Sequence, residues 1–333
     1  MFYLSIVIPV FNGAPNISNT IESIITNNTI GNMKDKIEIV VIDDGSTDNT
    51  KNIVYSFIEK NKSYTIRYFY QENSGLSCAR NKGLKCSLGK YIWFFDADDL
   101  LVDDNLKTIF TWVTDGQVDV ISFKSQLIKD NILYGYGCDF PVEKNKCING
   151  LNAFEQGYSP SSVCCLIIKK DLFFSRNIFF YPNISHQDVE LTAKLLISVE
   201  KIIFLNIAPY GYVYNSDSIS KSKTREKYIK YTLDNLVVAD SLKDYYSSLE
   251  DNKKKYILRV INNIIWNYIY NLFISRRYID FHMLNLFLDK LFSSNSYPMQ
   301  GKMETKFQKM TSIFFKNPTI LKVTLFFLYR LFK

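Results

Sequence analysis

The segment Tyr91–Leu101, YIWFFDADDLL, decides the fold of this chain, because five apolar or aromatic residues run directly into Asp96, Asp98 and Asp99. A short buried strand that ends in carboxylates is typical of open α/β sheets, which bind ligands at the carboxyl ends of their strands. Carboxylates this close repel one another, and Mg²⁺ in proteins is held by one or two carboxylates together with substrate phosphates. The segment therefore predicts a metal-phosphate site. The alternative is an acidic turn, in which Asp99 or Asp103 only caps the next helix.

The first hundred residues alternate between strand and helix patterns. The predicted strands are Phe2–Val10, Glu38–Ile42, Thr65–Tyr70 and Tyr91–Phe95, and helical spacing of apolar residues follows each of the first three. Such a series with short connections predicts an α/β fold with a doubly wound, mostly parallel sheet.

The pattern loosens after this series. Further predicted elements are strands at Val118–Phe123, Val163–Ile168 and Ile202–Asn206, a helix at Asp188–Val199, and several helices within residues 225–295. The Gly- and Tyr-containing segment 134–150 is predicted to be a loop over a site.

Charge is distributed unevenly along the 333 residues. Residues 1–220 carry 20 Lys and Arg against 24 Asp and Glu, whereas residues 221–333 carry 20 against 9. We therefore predict an acidic catalytic domain over residues 1–220 and a basic, helical C-terminal region over residues 221–333 that meets something anionic. The sequence has no run of about 18 apolar residues, which argues against a membrane span. No basic leader precedes the first strand. We expect a cytoplasmic protein with no nucleic-acid partner.

The basic C-terminal region ends in an amphipathic pattern. Pro318 is suited to the start of a helix, on which Lys322, Arg330 and Lys333 share one face while apolar residues lie elsewhere, namely Leu321, Leu325, Leu328 and Phe332. This pattern predicts an interfacial helix whose apolar residues insert into an anionic membrane surface and hold the protein peripherally on the inner face of the cell membrane. The alternative is a terminal helix packed on the protein's own core or on a partner subunit.

Two more polar features lie near predicted strand ends. Asp43 and Asp44 follow the second strand in VVIDDGSTDNT, where Gly45 allows a tight bend. Arg80 lies in the helix after Gly75, and its planar guanidinium suits bidentate contact with a phosphate or a base edge. The alternative for Asp43 and Asp44 is an ordinary turn, and the alternative for Arg80 is an arginine on the helix surface.

Four motifs together resemble a known family. SIVIPVFN, IEIVVIDDGSTD, NSGLSCARNKGL and GKYIWFFDADD occur in this order over roughly residues 3–105. This combination resembles the family 2 inverting glycosyltransferases of the GT-A fold, of the type that builds bacterial surface polysaccharides such as capsules.

The resemblance implies roles for individual residues. Pro9, Val10 and Asn12 would line the nucleotide pocket, Asp44 would accept from the uracil ring, and Arg80 would lie near the base or the diphosphate. Asp96 would lie by the ribose or the metal, and Asp98 would be the principal contact to a Mn²⁺ or Mg²⁺ ion that holds the diphosphate. The family commonly has an acidic residue where this chain has Ala14.

A further motif, SHQDVELTAKLL, resembles the family's Glu-Asp motif at the start of a helix, with Gln187 in place of the first acid. Asp188 is accordingly predicted to be the general base that takes the proton of the acceptor hydroxyl. Glu190 is the second candidate for this role. A helix cap or a first-turn acid favoured by the helix dipole is the alternative for Asp188.

The predicted function is metal-dependent, inverting transfer of a sugar from a UDP-sugar to a hydroxyl of a glycan or a lipid-linked oligosaccharide acceptor in polysaccharide biosynthesis. The first alternative is a non-catalytic sugar-nucleotide-binding subunit, which Ala14 and Gln187 make conceivable. The second is a phosphatase of the haloacid dehalogenase type, which also has Asp-x-Asp after an apolar strand. That family prefers Thr or Val where this chain has Leu100, and its motif usually opens the domain.

Overall fold

The computed structural model describes residues 1–102, 106–160, 162–214, 224–274, 279–301, 303 and 305–331. The chain divides into two compact units: Met1–Asn183 with Leu195–Ser216, and Ile184–Lys194 with Asp217–Lys333. The predicted domain boundary at residue 220 lies within 215–223, outside the described residues, and stays a prediction.

The first unit contains all the described strands. Eight strands form a large sheet: β1 (Leu4–Val10), β2 (Ile37–Asp43), β3 (Thr65–Tyr70), β4 (Tyr91–Phe94), β6 (Val120–Ser122), β9 (Cys147–Ile148), β10 (Leu166–Lys169) and β11 (Ile202–Phe204). Four form a small sheet: β5 (Leu100–Leu101), β7 (Ser125–Lys129), β8 (Ile132–Gly137) and β12 (Tyr210–Val213). The α-helices that begin and end in this unit are α1 (Ile17–Ile25), α2 (Asn28–Asn32), α3 (Thr50–Lys60), α4 (Leu76–Cys86), α5 (Lys107–Asp115), α6 (Gly150–Glu155) and α7 (Lys170–Ser175).

The large sheet has the order β3-β2-β1-β4-β10-β6-β11-β9. β1 to β4 are parallel, whereas β10 is antiparallel to β4 and β6, and β9 is antiparallel to β11. The chain steps from β1 outward to β3 and then crosses to place β4 on the other side of β1. Ligands of open α/β sheets bind where the strand order reverses in this way. The predicted α/β fold with a mostly parallel, doubly wound sheet is confirmed.

Close packing of α4 against the sheet depends on Gly83. A Cβ atom on this residue would lie 2.2 Å from Cγ1 of Val7 and 3.2 Å from Cγ1 of Ile42. Because interiors are packed like organic crystals, only a residue without a side chain permits this approach. It fixes the position of Arg80 one turn earlier on the same helix.

The small sheet has the order β5-β12-β7-β8 and lies in the first unit. The prediction that segment 134–150 is a loop is wrong for Tyr134–Gly137, which belongs to β8 and pairs with β7, and for Cys147–Ile148, which forms β9 and pairs with β11. Alternating Tyr and Gly residues suggest a loop because Gly weakens a strand interior. The cross-strand pairing with β7 overrides this local preference.

The second unit is helical in the described part of the chain. Its helices are α8 (Gln187–Leu196), which continues into the first unit, α9 (Arg225–Ser247), α10 (Asp251–Ile274), α11 (Phe281–Ser293), α12 (Lys306–Phe315) and α13 (Pro318–Leu331). Among the described residues, every helix is too short or too polar to cross a bilayer.

The apolar stripe predicted to insert into a membrane is packed inside the second unit. Leu321 is 0% exposed and Leu325 is 3% exposed, and Leu325, Leu328 and Tyr329 face residues of α10 and α11, namely Leu272, Phe273 and Leu284. Insertion by Leu321 and Leu325 is therefore wrong, because these two residues are already covered by protein. Phe332 and Lys333 lie outside the described residues.

Candidate active site

The loops after β1 and β2 are tied together at the carboxyl edge of the sheet. The Asn12 N–H donates to Oγ of Ser46 over 2.8 Å, and Oδ1 of Asn12 accepts from the Thr47 N–H at 2.9 Å. Asn12 has a left-handed backbone with φ of 49°, which asparagine adopts more readily than most residues. The two loops therefore form one rim beside the ends of β1, β2 and β4.

Pro9 and Val10 are the last residues of β1 and are buried. The carbonyl of Val10 accepts from the Asp44 N–H at 2.8 Å, so strand alternation turns the nitrogen of Pro9 towards β4. The pairing of β1 with β4 covers only Leu4–Val7. Pro9, which has no N–H to donate, thus stands where no ladder partner is needed.

Asp43 and Asp44 are both buried and accept hydrogen bonds from the protein. Asp43 accepts from the Ser46 N–H at 2.7 Å and from the Tyr68 hydroxyl at 2.6 Å. Asp44 accepts from the Gln71 side chain and the Ser74 N–H on Oδ1, and from the Gly75 N–H at 2.8 Å on Oδ2. Asp44 therefore organises the loop between β3 and α4, a role that the sequence did not reveal.

Arg80 and Asp96 form an ion pair at the site. Nη2 of Arg80 donates to Oδ1 of Asp96 over 2.8 Å, and the arginine is 2% exposed. The guanidinium also lies 5.3 Å from the centre of the Phe180 ring. The alternative that Arg80 is a surface arginine is wrong, because α4 directs its side chain inward to the D-A-D-D turn.

Asp98 and Asp99 have different environments. Asp98 is half-buried, whereas Asp99 is 2% exposed. Asp99 accepts from the Tyr210 hydroxyl and, at 2.8 Å, from the Val213 N–H. Burial, followed by the charge of Asp96, raises the pKa of Asp99 to about 8. Asp99 thus anchors the turn to β12, and Asp96 and Asp98 are the carboxylates that reach partly into solvent.

The turn is held from the other side by α1. The Thr20 hydroxyl lies 2.8 Å from the Ala97 carbonyl and 2.9 Å from the Asp99 carbonyl, and the Ser23 hydroxyl accepts from the Leu101 N–H at 3.0 Å. The backbone around Asp98 is therefore fixed by α1 and β12 together.

Within the described residues, no group of three or more His, Cys, Asp or Glu side chains is arranged to hold a metal ion. A divalent ion that also binds phosphate oxygens needs only one or two carboxylates. Asp98 and Asp96 supply hard oxygen donors, and 35% of the Asp96 side chain is exposed. This donor set fits Mn²⁺ or Mg²⁺ together with a diphosphate.

Asp188 is the second residue of α8, in the second unit. It is half-buried, and its carbonyl accepts from the Thr192 hydroxyl at 2.6 Å. Glu190, the second candidate base, is 0% exposed and accepts from Lys194 and, at 2.6 Å, from the Ser241 hydroxyl. This environment makes Glu190 a structural residue that ties α8 to α9.

His186 also joins α8 to α9. Its Nε2 lies 2.9 Å from the Tyr231 carbonyl, and the two rings are 4.2 Å apart. Burial lowers the pKa of His186, so it is a neutral packing residue at neutral pH.

Sequence reasoning missed Tyr210 and the contribution of β12 to the site. The signal was present in YGYVY at residues 210–214, in which aromatic residues alternate as in a strand. What the sequence does not contain is the pairing of β12 with β5, which brings Tyr210 to Asp99.

A mostly parallel sheet with a D-x-D turn at its carboxyl edge, next to the strand-order reversal, agrees with the GT-A fold. Residues 5–173 match the family described as Glycosyl transferase family 2, and the chain belongs to this family. This membership favours a glycosyltransferase over the phosphatase and the non-catalytic alternatives.

Several known proteins are similar to this chain. The uncharacterized glycosyltransferase YibD of Escherichia coli K12 is 27% identical over 228 residues, which cover 66% of this chain and 63% of YibD. The glycosyltransferase GlyA of Streptococcus pneumoniae is 30% identical over 239 residues, 69% of this chain and 33% of GlyA. The crystal structure of S. aureus TarS 1-349 with UDP-GlcNAc matches with a TM-score of 0.68 at 20% identity, over 87% of this chain and 80% of that one.

Proposed function

We propose that this enzyme transfers a sugar from UDP to a hydroxyl of a glycan or lipid-linked oligosaccharide, with inversion at the anomeric carbon, in polysaccharide biosynthesis such as capsule formation. The observation that carries the proposal is the turn at the end of β4, in which Asp99 is a buried anchor while Asp96 and Asp98 remain partly exposed beside buried Arg80. The UDP-GlcNAc complex of TarS, a protein of similar fold, supports UDP as the nucleotide.

Asp98, with Asp96 beside it, would hold Mn²⁺ or Mg²⁺ in this enzyme. When bound, such an ion neutralises negative charge that develops on a departing diphosphate. Pro9, Val10 and Asn12 line the nucleotide pocket along the rim described above. Asp44 has four lone-pair positions and gives three of them to the loop after β3, which leaves one for a ring N–H of uracil.

Asp188 is the general base of the proposed reaction. An inverting transfer needs a carboxylate on the side of the sugar opposite the leaving diphosphate, where it takes the proton of the attacking hydroxyl. Asp188 is half-buried and Glu190 is enclosed, so Asp188 is the acid of this motif that solvent and an acceptor reach. No covalent intermediate with the enzyme is required.

The test is release of UDP by the full-length protein from a panel of UDP-glucose, UDP-galactose and UDP-GlcNAc, with Mn²⁺, Mg²⁺ or EDTA. We expect release from at least one donor, only with a metal ion, and a loss of at least ~100-fold in Asp98→Asn, since metal stabilisation contributes several kcal/mol. Asp115→Asn, which removes an exposed acid of α5, is the control and should match the parent protein. Equal release in EDTA would contradict metal dependence. GDP- and dTDP-sugars are assayed in parallel, and nucleotide release from these alone would contradict the choice of UDP.

The enzyme also binds an anionic membrane surface from the cytoplasmic side, through a surface that we call the C-terminal apolar face. Its members are large apolar residues that are 43–70% exposed on α12 and α13: Phe307, Met310, Ile313, Phe314, Ile320, Val323 and Phe327. Their spacing of three or four residues places those of each helix on one side. Large exposed apolar residues grouped on one side of a helix mark protein or membrane contact.

Charge favours a membrane as the occupant of this face. The chain has no acid after Glu304, and the same two helices and the turn between them carry Lys306, Lys309, Lys316, Lys322 and Arg330. Each cation near an anionic lipid surface contributes about 1 kcal/mol. Insertion of apolar side chains and attraction to anionic headgroups therefore act together.

Flotation with phosphatidylglycerol and with phosphatidylcholine vesicles tests this attachment. The wild-type protein should float with the anionic vesicles, less so at high salt, and the double variant Ile313→Gln, Phe327→Gln should bind at least ~10-fold less, because two apolar side chains supply about 3 kcal/mol of insertion energy. Val237→Gln changes an apolar residue of α9 that is 38% exposed and should bind as the wild type does. Equal flotation of the double variant, or equal loss in Val237→Gln, would contradict attachment through this face.

A further inference from the structure

The small sheet that anchors Asp99 has an exposed aromatic strand, β8, at its opposite edge. Tyr134 and Tyr136 of β8 are 55% and 60% exposed. β8 pairs with β7, which pairs with β12, and β12 holds Asp99 through Tyr210 and Val213. The sheet that fixes the D-x-D turn thus continues outward as a surface rich in tyrosine.

The pairing register of the strands shows which residues share a face of the small sheet. Tyr212 pairs with Leu127, which pairs with Gly135, so these three share one face. Tyr136 pairs with Gln126 and belongs to the other face. The face of Tyr212 is the one that Tyr210, two residues earlier, turns towards Asp99.

Tyr134 lies in a β-bulge of β8, directly before Gly135. The register shifts between Leu127 and Ile128, which makes Tyr134 the extra residue of β8. Bulges re-aim side chains and are frequent next to active sites. After burial, the charges of Asp99 and Asp98 and then the nearby Tyr134 raise the pKa of the Tyr212 hydroxyl, in agreement with a position between the carboxylate turn and Tyr134.

Gly135 leaves this face open. A Cβ atom there would meet only Cδ1 of Leu127 at 3.7 Å, an ordinary contact, and the residue has no left-handed backbone. Neither conformation nor packing therefore requires glycine at this position. The absence of a side chain leaves a shallow floor beside Leu127, and the exposed Tyr134 is the preceding residue of β8.

We propose that the surface formed by Tyr212, Leu127, Gly135 and Tyr134, here called the tyrosine platform, binds sugar units of the acceptor glycan. This inference rests on the proposed function and names the acceptor subsite of that reaction. Tyrosine offers a rigid apolar ring for the hydrophobic face of a sugar and a hydroxyl for its polar edge. Continuity of the platform with the D-x-D turn places a bound saccharide beside the donor site instead of at a remote patch.

The experiment compares Gly135→Val and Tyr134→Ala with Tyr136→Ala, the matched removal of a tyrosine from the opposite face. The probes are β-linked tetrasaccharides of glucose, galactose and N-acetylglucosamine, whose binding to the full-length protein is measured by saturation-transfer NMR in the presence of UDP and Mn²⁺. We expect at least one tetrasaccharide to bind, at least ~10-fold more weakly to Gly135→Val and Tyr134→Ala, and with unchanged affinity to Tyr136→Ala. Thermal denaturation verifies that each variant is folded.

Three results would overturn the platform: no tetrasaccharide binds the wild-type protein, Tyr136→Ala weakens binding as much as Tyr134→Ala, or the β8 variants change the oligomeric state in gel filtration. The last would assign this face to a protein contact. Saccharide binding in a protein that releases no UDP from any UDP-sugar would leave the platform standing while refuting the proposed function. UDP release without saccharide binding would refute the platform and leave the proposed function standing.

Discussion

Arg80 donates to Asp96 over 2.8 Å, with 3% of the arginine side chain and 35% of the aspartate side chain exposed. The pair therefore joins a buried cation on α4 to a partly solvated carboxylate at the end of β4. Removal of one partner from a buried pair leaves an uncompensated charge, which costs more than the pair itself contributes. Asp96 therefore has a structural role as the acceptor of Arg80.

Asp96→Ala should accordingly lower the free energy of unfolding, by about 1–3 kcal/mol because water partly replaces the lost carboxylate. Asp98→Asn should change it by less than about 0.5 kcal/mol, the usual range for a partly exposed substitution. Urea denaturation followed by circular dichroism measures both. Equal stabilities of the two variants would show that Arg80 does not depend on Asp96.

Asp99 and Tyr210 provide a test of the anchor between the turn and β12. Asp99→Ala leaves the Tyr210 hydroxyl and the Val213 N–H without their acceptor in a buried place and should cost about 2–4 kcal/mol of unfolding free energy. Tyr210→Phe removes a single hydroxyl and should cost about 1 kcal/mol. A double-mutant cycle on the two positions should show coupling of about 1 kcal/mol, and strictly additive effects would contradict a direct bond.

Asp188 and Glu190 lie two positions apart in α8. Substitution of the first should affect catalysis, and substitution of the second should affect stability. Asp188→Asn should lower kcat about 10²–10⁴-fold with little change in UDP binding, since a general base acts only in the chemical step. Glu190→Gln should instead lower the melting temperature, because Lys194 and Ser241 lose a charged acceptor. Steady-state kinetics, UDP titration and calorimetry distinguish the two. Unchanged turnover in Asp188→Asn would remove this residue from the role.

Substitution of Gly83 tests how closely α4 packs on the sheet. Gly83→Ala forces a methyl group into Val7 and should cost about 1–3 kcal/mol despite the better helix propensity of alanine. Gly135→Ala, where the new Cβ meets only Leu127 at 3.7 Å, is the matched control and should change the melting temperature little. If both variants melt alike, the contact between α4 and β1 is looser than these distances indicate.

Much of the first unit could be predicted from local pattern. Asp96, Asp98 and Asp99 follow a run of apolar residues, and this order alone places carboxylates at a strand end in a parallel sheet. Asp43 and Asp44 were found by the same rule. The division of labour among these acids could not be predicted, because it depends on which of them meet Tyr68, Tyr210 or Arg80, residues distant in sequence.

In the C-terminal region, the sequence predicts less of what matters for function. Its helices and positive charge can be read from the sequence, but a helix with apolar residues on more than one side does not reveal which side faces protein. The structure buries Leu321 and Leu325 and exposes Val323 and Phe327. Packing against α10 and α11 makes that choice, and it moves the proposed lipid contact to a different face of the same helix.

The sequence by itself determined the succession of strands and helices in the first hundred residues and the location of the acidic turn, because hydrophobic periodicity and turn chemistry act between near neighbours along the chain. Its four motifs, in their order, indicated the family. Only the tertiary structure decided that Asp99 is an anchor, that Asp44 holds the loop after β3 and that Tyr212 and Gly135 share one face of the small sheet. Those outcomes depend on strand pairing and burial between residues far apart in sequence, and no local pattern encodes such pairing.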